Sequence, residues 1–214
     1  MTAELPPRMR GVVVAAQMYR SAARKSGWHL DNLTGRLVEL SGGGDTAVLT
    51  LAVGVLHAAQ RRGEAVAWIS AVESIFYPPD LAALGIDLSA LPIVRVQKGL
   101  QAARAADALI RSGGFGAIAL DLGNQASMSL SVQTRLAGLA RRHNVAVLAL
   151  TRRMNGRAQQ RTGSLGSLVS LWGESRRRRT ARDRFACELA VRKDKRNGGG
   201  WHHLEFCRGP DGLC

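Results

Sequence analysis

Gly35-Arg36-Leu37-Val38-Glu39-Leu40-Ser41-Gly42-Gly43-Gly44-Asp45-Thr46-Ala47-Val48-Leu49-Thr50 runs from a short apolar stretch through a glycine cluster into a long apolar segment that stops at Gly63. Residues 36–41 alternate too little for a half-exposed strand and read as a buried one. Residues 47–62 read as a helix, with Gly63 as its stop. Strand, glycine cluster and helix in that order is how a phosphate-binding loop is built. In that motif backbone N–H groups cradle the phosphates, a Lys at the helix start holds the outer ones, and the next Ser or Thr coordinates Mg²⁺. Gly42, Gly43, Gly44 and Thr46 suit such a loop, but Val48 and Leu49 occupy the places of the cation and the magnesium ligand. Asp45 adds a carboxylate where phosphate would sit, which lowers affinity for an anion. The glycines do not have the spacing of a dinucleotide fingerprint either.

Outward from this stretch the pattern repeats. Residues 65–69, 92–96, 115–120 and 145–150 read as strands, and Asp121 closes the third of these. Residues 78–84, 99–112 and 131–143 read as helices, the first opened by Pro78-Pro79 and stopped by Gly85. Strands alternating with helices imply an α/β fold, a mostly parallel twisted sheet with helices on both faces and right-handed crossovers. After residue 150 the pattern changes. Residues 151–166 are polar, basic and dotted with glycine, and read as a loop. Residues 185–191 and 201–206 alternate and flank Asn197-Gly198-Gly199-Gly200, which reads as a hairpin of antiparallel edge strands at the C-terminal side. Upstream, residues 8–26 carry an amphipathic helix with Arg20, Arg24 and Lys25 at its favourable C-terminal end. The expected organisation is an N-terminal helix or arm over 1–30, a core over 31–208 and a short tail over 209–214.

Composition sets limits on function. The 214 residues are 46% hydrophobic, enough for a substantial core, and 5% aromatic, so that core is mostly aliphatic. No run approaches the roughly 20 apolar residues that cross a bilayer, and the first ten residues lack a secretory pattern, so a cytoplasmic protein without membrane contact is expected. Three cysteines, Cys187, Cys207 and Cys214, have no paired spacing and suit a reducing compartment. Net charge is +14 and uneven: 18 of the 30 Lys and Arg, but 6 of the 16 Asp and Glu, lie in residues 135–214. A basic half-chain attracts polyanions or an acidic protein face, and arginine suits bidentate contacts.

The order of these pieces resembles the core of RecA-type recombinases. Gly35 to Leu40 resembles the strand that enters the RecA phosphate loop, and Ala58-Ala59-Gln60-Arg61-Arg62-Gly63 the end of the next helix, with the spacing kept. Leu84-Gly85-Ile86-Asp87-Leu88, Arg111-Ser112-Gly113, Ala117-Ile118-Ala119-Leu120-Asp121 and Val191-Arg192-Lys193-Asp194-Lys195 follow in the same order. The resemblance implies a RecA-like core in which Asp121 survives as the Walker B acid. The catalytic Glu would fall near Val72, with Glu73 one residue off, and the nucleotide-sensing Asn-Gln pair is Leu150-Thr151. With Val48 and Leu49 these departures imply a RecA fold without ATPase chemistry, hence no catalytic residues, no cofactor and no small-molecule substrate. Among proteins of that kind and size, the chain is similar to the ImuA family, given its arginine-rich C-terminal part and N-terminal helix, with the division inhibitor SulA as the alternative.

The resemblance also supplies candidate partners. RecA would be met by Val12, Val13, Val14, Ala16 and Met18, because an N-terminal helix docks neighbouring protomers in RecA filaments; the same face could instead cover this chain's own sheet. The ImuA likeness implies an ImuB-like Y-family polymerase homologue as a second partner and a role in error-prone damage bypass during the SOS response. The first RecA DNA loop falls at Asn124 to Ser131 and carries no charge; the second falls at 152–166 with Arg152, Arg153, Arg157 and Arg161. That loop lacks an aromatic, so contact with single-stranded DNA would be electrostatic and salt-sensitive. Arg176, Arg177, Arg178 and Arg179, with Arg182, form the densest charge and are expected in an exposed turn between two strands, gripping DNA or an acidic partner or merely solubilising. His202-His203 near Cys207 face opposite sides of a strand, so no metal is expected. His57 is expected to be packed. A divergent ATPase that borrows Lys98 or Lys193, and a plain single-strand-binding module, stay open as alternatives.

Overall fold

The computed structural model describes residues 27–71, 77–123, 128–152 and 163–208. The helix expected over 8–26, with its candidate docking residues, lies outside them, as do Val72, Glu73, Arg153, Arg157, Arg161 and the tail from 209.

Among the described residues eight strands form one sheet in the order β3-β2-β4-β5-β1-β6-β7-β8. In chain order they are β1 (Arg36–Gly42), β2 (Ala65–Ala71), β3 (Ile93–Val96), β4 (Phe115–Gly123), β5 (Ala146–Arg152), β6 (Leu171–Arg179), β7 (Arg184–Asp194) and β8 (His202–Arg208). Pairings from β3 through β6 are parallel, and β7 and β8 are added antiparallel. The α-helices that accompany them are α1 (Leu30–Leu33), α2 (Val48–Gln60), α3 (Pro78–Ala82), α4 (Gly99–Arg111) and α5 (Leu130–His143). The expected α/β architecture with an antiparallel C-terminal edge is therefore what the chain forms.

The alternation of strand side chains splits the apolar residues into two cores. On one face Val38, Leu40, Val66, Trp68, Leu148 and Leu150 pack under α1 and α2, together with Trp28 and Leu30. On the other, Leu37, Ala67, Ile69, Ile118, Leu120 and Val147 pack under α4 and α5. α2 buries Val48, Leu51, Ala52, Val53, Val55, Leu56 and Ala59, a stripe wide enough to lie flat on a fully covered sheet. α4 is narrower and buries Ala102, Ala103, Ala106 and Ile110, small residues that let it sit close to α5. Its first turn is closed by Gln101, whose Oε1 accepts from the amides of Gln97 and Lys98 at 3.0 and 3.1 Å. Gly85 is at φ +87°, and a Cβ there would lie 2.9 Å from His57 Cε1. His57 is thus packed against the turn after α3.

One buried ion pair ties the phosphate-loop strand to the edge ribbon. Arg36, at the start of β1, places Nη2 2.6 Å from Asp194 Oδ1 at the end of β7, with side chains 1% and 0% exposed. Arg36 also donates to Ser170 Oγ, the Ser170 carbonyl and the Asn32 carbonyl at 2.8–3.0 Å. Asp194 also accepts from the Arg196 amide at 2.9 Å, Asn197 Nδ2 at 3.1 Å and Trp201 Nε1 at 3.3 Å. Burial alone would raise the Asp194 carboxyl, but the Arg196 amide and the Arg36 guanidinium outweigh it and hold it below the usual carboxylate range.

Three expectations change, and one contact is new. The arginine run 176–179 lies in β6, paired with 185–188 of β7, and the connecting turn is 180–183. Strand pairing uses the backbone, and long charged side chains can stand off both faces of a ribbon that overhangs the core. Strand β4 continues past Asp121 to Gly123. Arg152 belongs to the end of β5 and not to the loop after it. Cys187 and Cys207, 20 residues apart in sequence, are brought to an Sγ–Sγ distance of 2.9 Å as free thiols on neighbouring strands.

Candidate functional site

The carboxyl ends of β4, β5 and β1, adjacent in the sheet, meet the start of α2, the place where open parallel sheets bind ligands. The glycines of the loop serve the local geometry. A Cβ on Gly42 would meet Thr46 Cβ at 2.5 Å and Ser175 Oγ at 3.1 Å. Only glycine lets the Thr46 side chain fold down over the strand end. There Thr46 Oγ1 lies 2.9 Å from Ser175 Oγ of β6 and accepts from the Val48 amide at 3.2 Å, so one N–H of the helix start is already engaged. The Arg177 amide donates to the Asp45 carbonyl at 2.9 Å. The loop is therefore tied to β6 at two points. Gly43, Gly44 and Asp45 are exposed.

Between these elements lies a small cleft. Thr46, Val48 and Leu49 form one wall, and Asp121 with Leu150, Thr151 and Arg152 forms the other. Four of the residues assigned from sequence to the altered phosphate site, Thr46, Val48, Leu49 and Asp121, are thus brought together, and Gly42 lies beneath Thr46. The cleft is shallow and partly open to solvent, with about 20 Å³ of water-accessible space between its walls. Asp121 is 5% exposed and accepts from the Gly123 amide at 3.3 Å, so it braces its own strand end. Leu150 and Thr151, in the place of the nucleotide-sensing pair, are buried; Thr151 Oγ1 donates to Glu39 Oε1 at 3.0 Å. Glu39, central in β1 and fully buried, also accepts from the amides of Ser164 and Leu165 at 2.7 and 3.1 Å. It anchors the segment ahead of β6.

Among the described residues, Arg152 is the cation that lines the cleft, and sequence reasoning assigned it elsewhere. Neither Lys98 nor Lys193 lines it. Lys98 is exposed before α4, and Lys193 donates to the Ser167 carbonyl at 2.6 Å. Burial lowers the Lys193 ammonium from its ordinary value, and Lys195 adds to the effect.

The second candidate region is the basic ribbon. Arg176 to Arg179 are all exposed, but alternation sends them to opposite faces. Arg177 stacks over Phe185, 5.1 Å from the ring centroid, and Arg179 donates to the Ala181 carbonyl at 3.1 Å. Arg178 lies 3.7 Å from Glu188 across the strand pair. Arg182 sits in the turn. Among the described residues no group of three or more His, Cys, Asp or Glu is placed to hold a metal, and no helix is long and apolar enough to cross a membrane.

Comparison with known proteins agrees with the geometry. The RecA N-terminal domain family matches residues 30–162, more than half of the chain. Protein RecA of Fusobacterium nucleatum is 39% identical over 87 residues, covering 41% of this chain and 23% of that protein. Protein RecA of Clostridium acetobutylicum is 38% identical over 87 residues (41% and 25%), and that of Nocardioides sp. 40% identical over 88 (41% and 25%). The aligned stretch spans about a quarter of the length of these relatives. With a β-strand, glycine loop and helix in the RecA order at the head of a parallel sheet, the chain belongs to the RecA N-terminal domain family.

Proposed function

We propose that this protein is a RecA-fold binding protein without ATPase activity that acts on RecA and on an ImuB-like Y-family polymerase homologue. It restrains RecA filament activity and supports error-prone bypass of DNA damage in the SOS response, as its likeness to ImuA implies. The observation that carries the reading is the cleft at the start of α2. It offers Val48 and Leu49 where a cation and a magnesium ligand belong. A triphosphate there would also face Asp45 at the loop. A subunit with a RecA-like surface and no nucleotide switch can join or cap a filament without following its ATP cycle. Any contact with single-stranded DNA through the loop arginines is a weak, salt-sensitive addition.

The test mixes the full chain with RecA on single-stranded DNA and follows ATP hydrolysis. Stoichiometric protein should lower RecA's rate, while this chain alone should hydrolyse nothing. An unchanged rate at stoichiometric amounts would count against the proposal, and co-purification with a cell-division protein would favour the SulA-like alternative. A second reading, a divergent nucleotide-binding protein, has one observation in its favour: Arg152 lines the cleft. It requires ATP to raise the melting temperature and Arg152→Ala to abolish that rise.

A further inference from the structure

The ribbon β6-β7-β8 carries its charge and its exposed apolar groups in ordered rows. Directly paired residues on neighbouring antiparallel strands share a face. Arg176, Glu188 and Leu204 form one row; Arg178, Ala186 and Phe206 the next; Arg184 and Arg208 the last. This face points away from the core. Its side chains are exposed except the small Ala186, which is paired between Arg178 and Phe206 and is buried. Phe206 is 69% exposed, the most of any large apolar side chain among the described residues, and Leu204 is 50% exposed. The opposite face behaves differently: Cys187 and Leu189 enter the core, and Arg177 is held over Phe185. One strand thus divides the arginine run, sending Arg176 and Arg178 to the open face and Arg177 and Arg179 to the other.

We propose that the open face of β6-β7-β8 binds single-stranded nucleic acid, with Arg176, Arg184 and Arg208 on the phosphates and Phe206 stacked on a base. A flat sheet surface with an exposed aromatic ring framed by cations is what an unpaired strand needs, since every base offers a π-face and stacking tolerates sequence. Guanidinium groups add bidentate phosphate contacts. Successive rows are about 7 Å apart along the strands, so charges recur along a path instead of meeting at one point. Glu188 stands within the face but is engaged by Arg178 at 3.7 Å, and Glu174 beside it is engaged by Arg192 at 3.0 Å. The net field therefore favours a polyanion over an acidic patch of fixed shape. Duplex DNA is disfavoured, because its bases are not free to meet Phe206. The proposal rests on the ribbon alone and stands whether or not the α2 cleft binds nucleotide.

The test uses the full chain, a fluorescently labelled strand of twenty thymidines, and an abasic strand of equal length and charge. Fluorescence anisotropy at several salt concentrations should show the thymidine strand bound about tenfold more tightly than the abasic one. Phe206→Ala should weaken thymidine binding about tenfold, leave abasic binding unchanged and keep the salt slope, whereas Phe206→Tyr should bind as the native protein does. Arg184→Ala or Arg208→Ala should weaken both strands and shorten the salt slope by about 0.7 for each phosphate that is no longer neutralised. Circular dichroism of each variant checks the fold, which an exposed position should spare. Equal affinity for the two strands, or a Phe206→Ala protein that binds thymidine normally, would overturn the proposal. So would no binding at low salt, including the case where an acidic polypeptide binds in place of the oligonucleotide.

Discussion

Replacing Asp194 by Asn removes the anion from the most enclosed ion pair among the described residues and leaves the Arg36 guanidinium, 1% exposed, beside a neutral amide. Breaking a buried pair from one side costs about 3–5 kcal/mol, because the remaining charge stays desolvated. Asn keeps one acceptor for Arg36, and Ser170 and the Asn32 carbonyl still serve the guanidinium. The expected cost is therefore near the lower end, about 3 kcal/mol, with Asp194→Ala nearer the upper end. For a chain of this size each kcal/mol lowers the melting temperature by roughly 2–4 °C, so Asp194→Asn should melt about 6–12 °C lower. In urea, with a slope of about 2 kcal/mol/M, the midpoint should fall by about 1.5 M. Tryptophan fluorescence is a suitable reporter, since Trp201 Nε1 donates to the same carboxylate at 3.3 Å.

The acid response carries the same information. The folded Asp194 carboxyl lies below its ordinary value, so its ionised form contributes stability throughout the range above the unfolded carboxylate value. That contribution is lost as pH falls through the depressed folded value, and Asp194→Asn should flatten this part of the stability-against-pH curve. The double variant Arg36→Met with Asp194→Leu, which removes both charges, should recover most of the loss. A destabilisation below about 1 kcal/mol for Asp194→Asn would refute the reasoning, because a pair worth so little behaves like an exposed one.

Three further outcomes are expected. Val48→Lys with Leu49→Thr should not restore nucleotide binding, because the Asp45 carboxylate stays at the loop and Thr46 Oγ1 already takes the amide of residue 48; at 1 mM ATP the melting temperature should move by about 1 °C or less, and a saturable rise of several degrees would contradict this. Gly42→Ala should cost about 1–3 kcal/mol through its collision with Thr46, and Thr46→Gly in the same chain should relieve most of that; denaturant unfolding of the single and double variants decides it. Burial, with the neighbouring Cys207, pushes the Cys187 thiol up to about 12, so at pH 8 iodoacetamide should label Cys187 far more slowly in the folded protein than in urea, as peptide mass spectrometry would show, and equal rates would sink the assignment.

Strand β1, helix α2 and the parallel half of the sheet were readable from local chemistry. Runs such as Ala65 to Ile69 and Val145 to Leu150 are apolar on both sides, which suits only a strand covered twice, and glycines stand just past α2 and α3. The loss of Lys and Ser/Thr at Val48-Leu49 was also visible, since a fixed spacing defines those places. The arginine ribbon was misplaced for an equally physical reason. Four consecutive cations look like a turn when only side-chain polarity is weighed, but pairing with 185–188 is a backbone matter between residues far along the chain. Phe206 gave a local sign of its face through the alternation of residues 201–206. That its face was the uncovered one depended on which side β7 turned toward the core.

Periodicity and punctuation along the chain were enough for the layered sheet and for the altered phosphate loop, because both are written in neighbouring residues. The Arg36–Asp194 pair spans 158 positions, Thr46 meets Ser175 across 129, and Arg152 reaches the cleft only because β5 lies beside β1. Such meetings follow from strand order and register, which arise when the whole chain packs, and no local pattern encodes them.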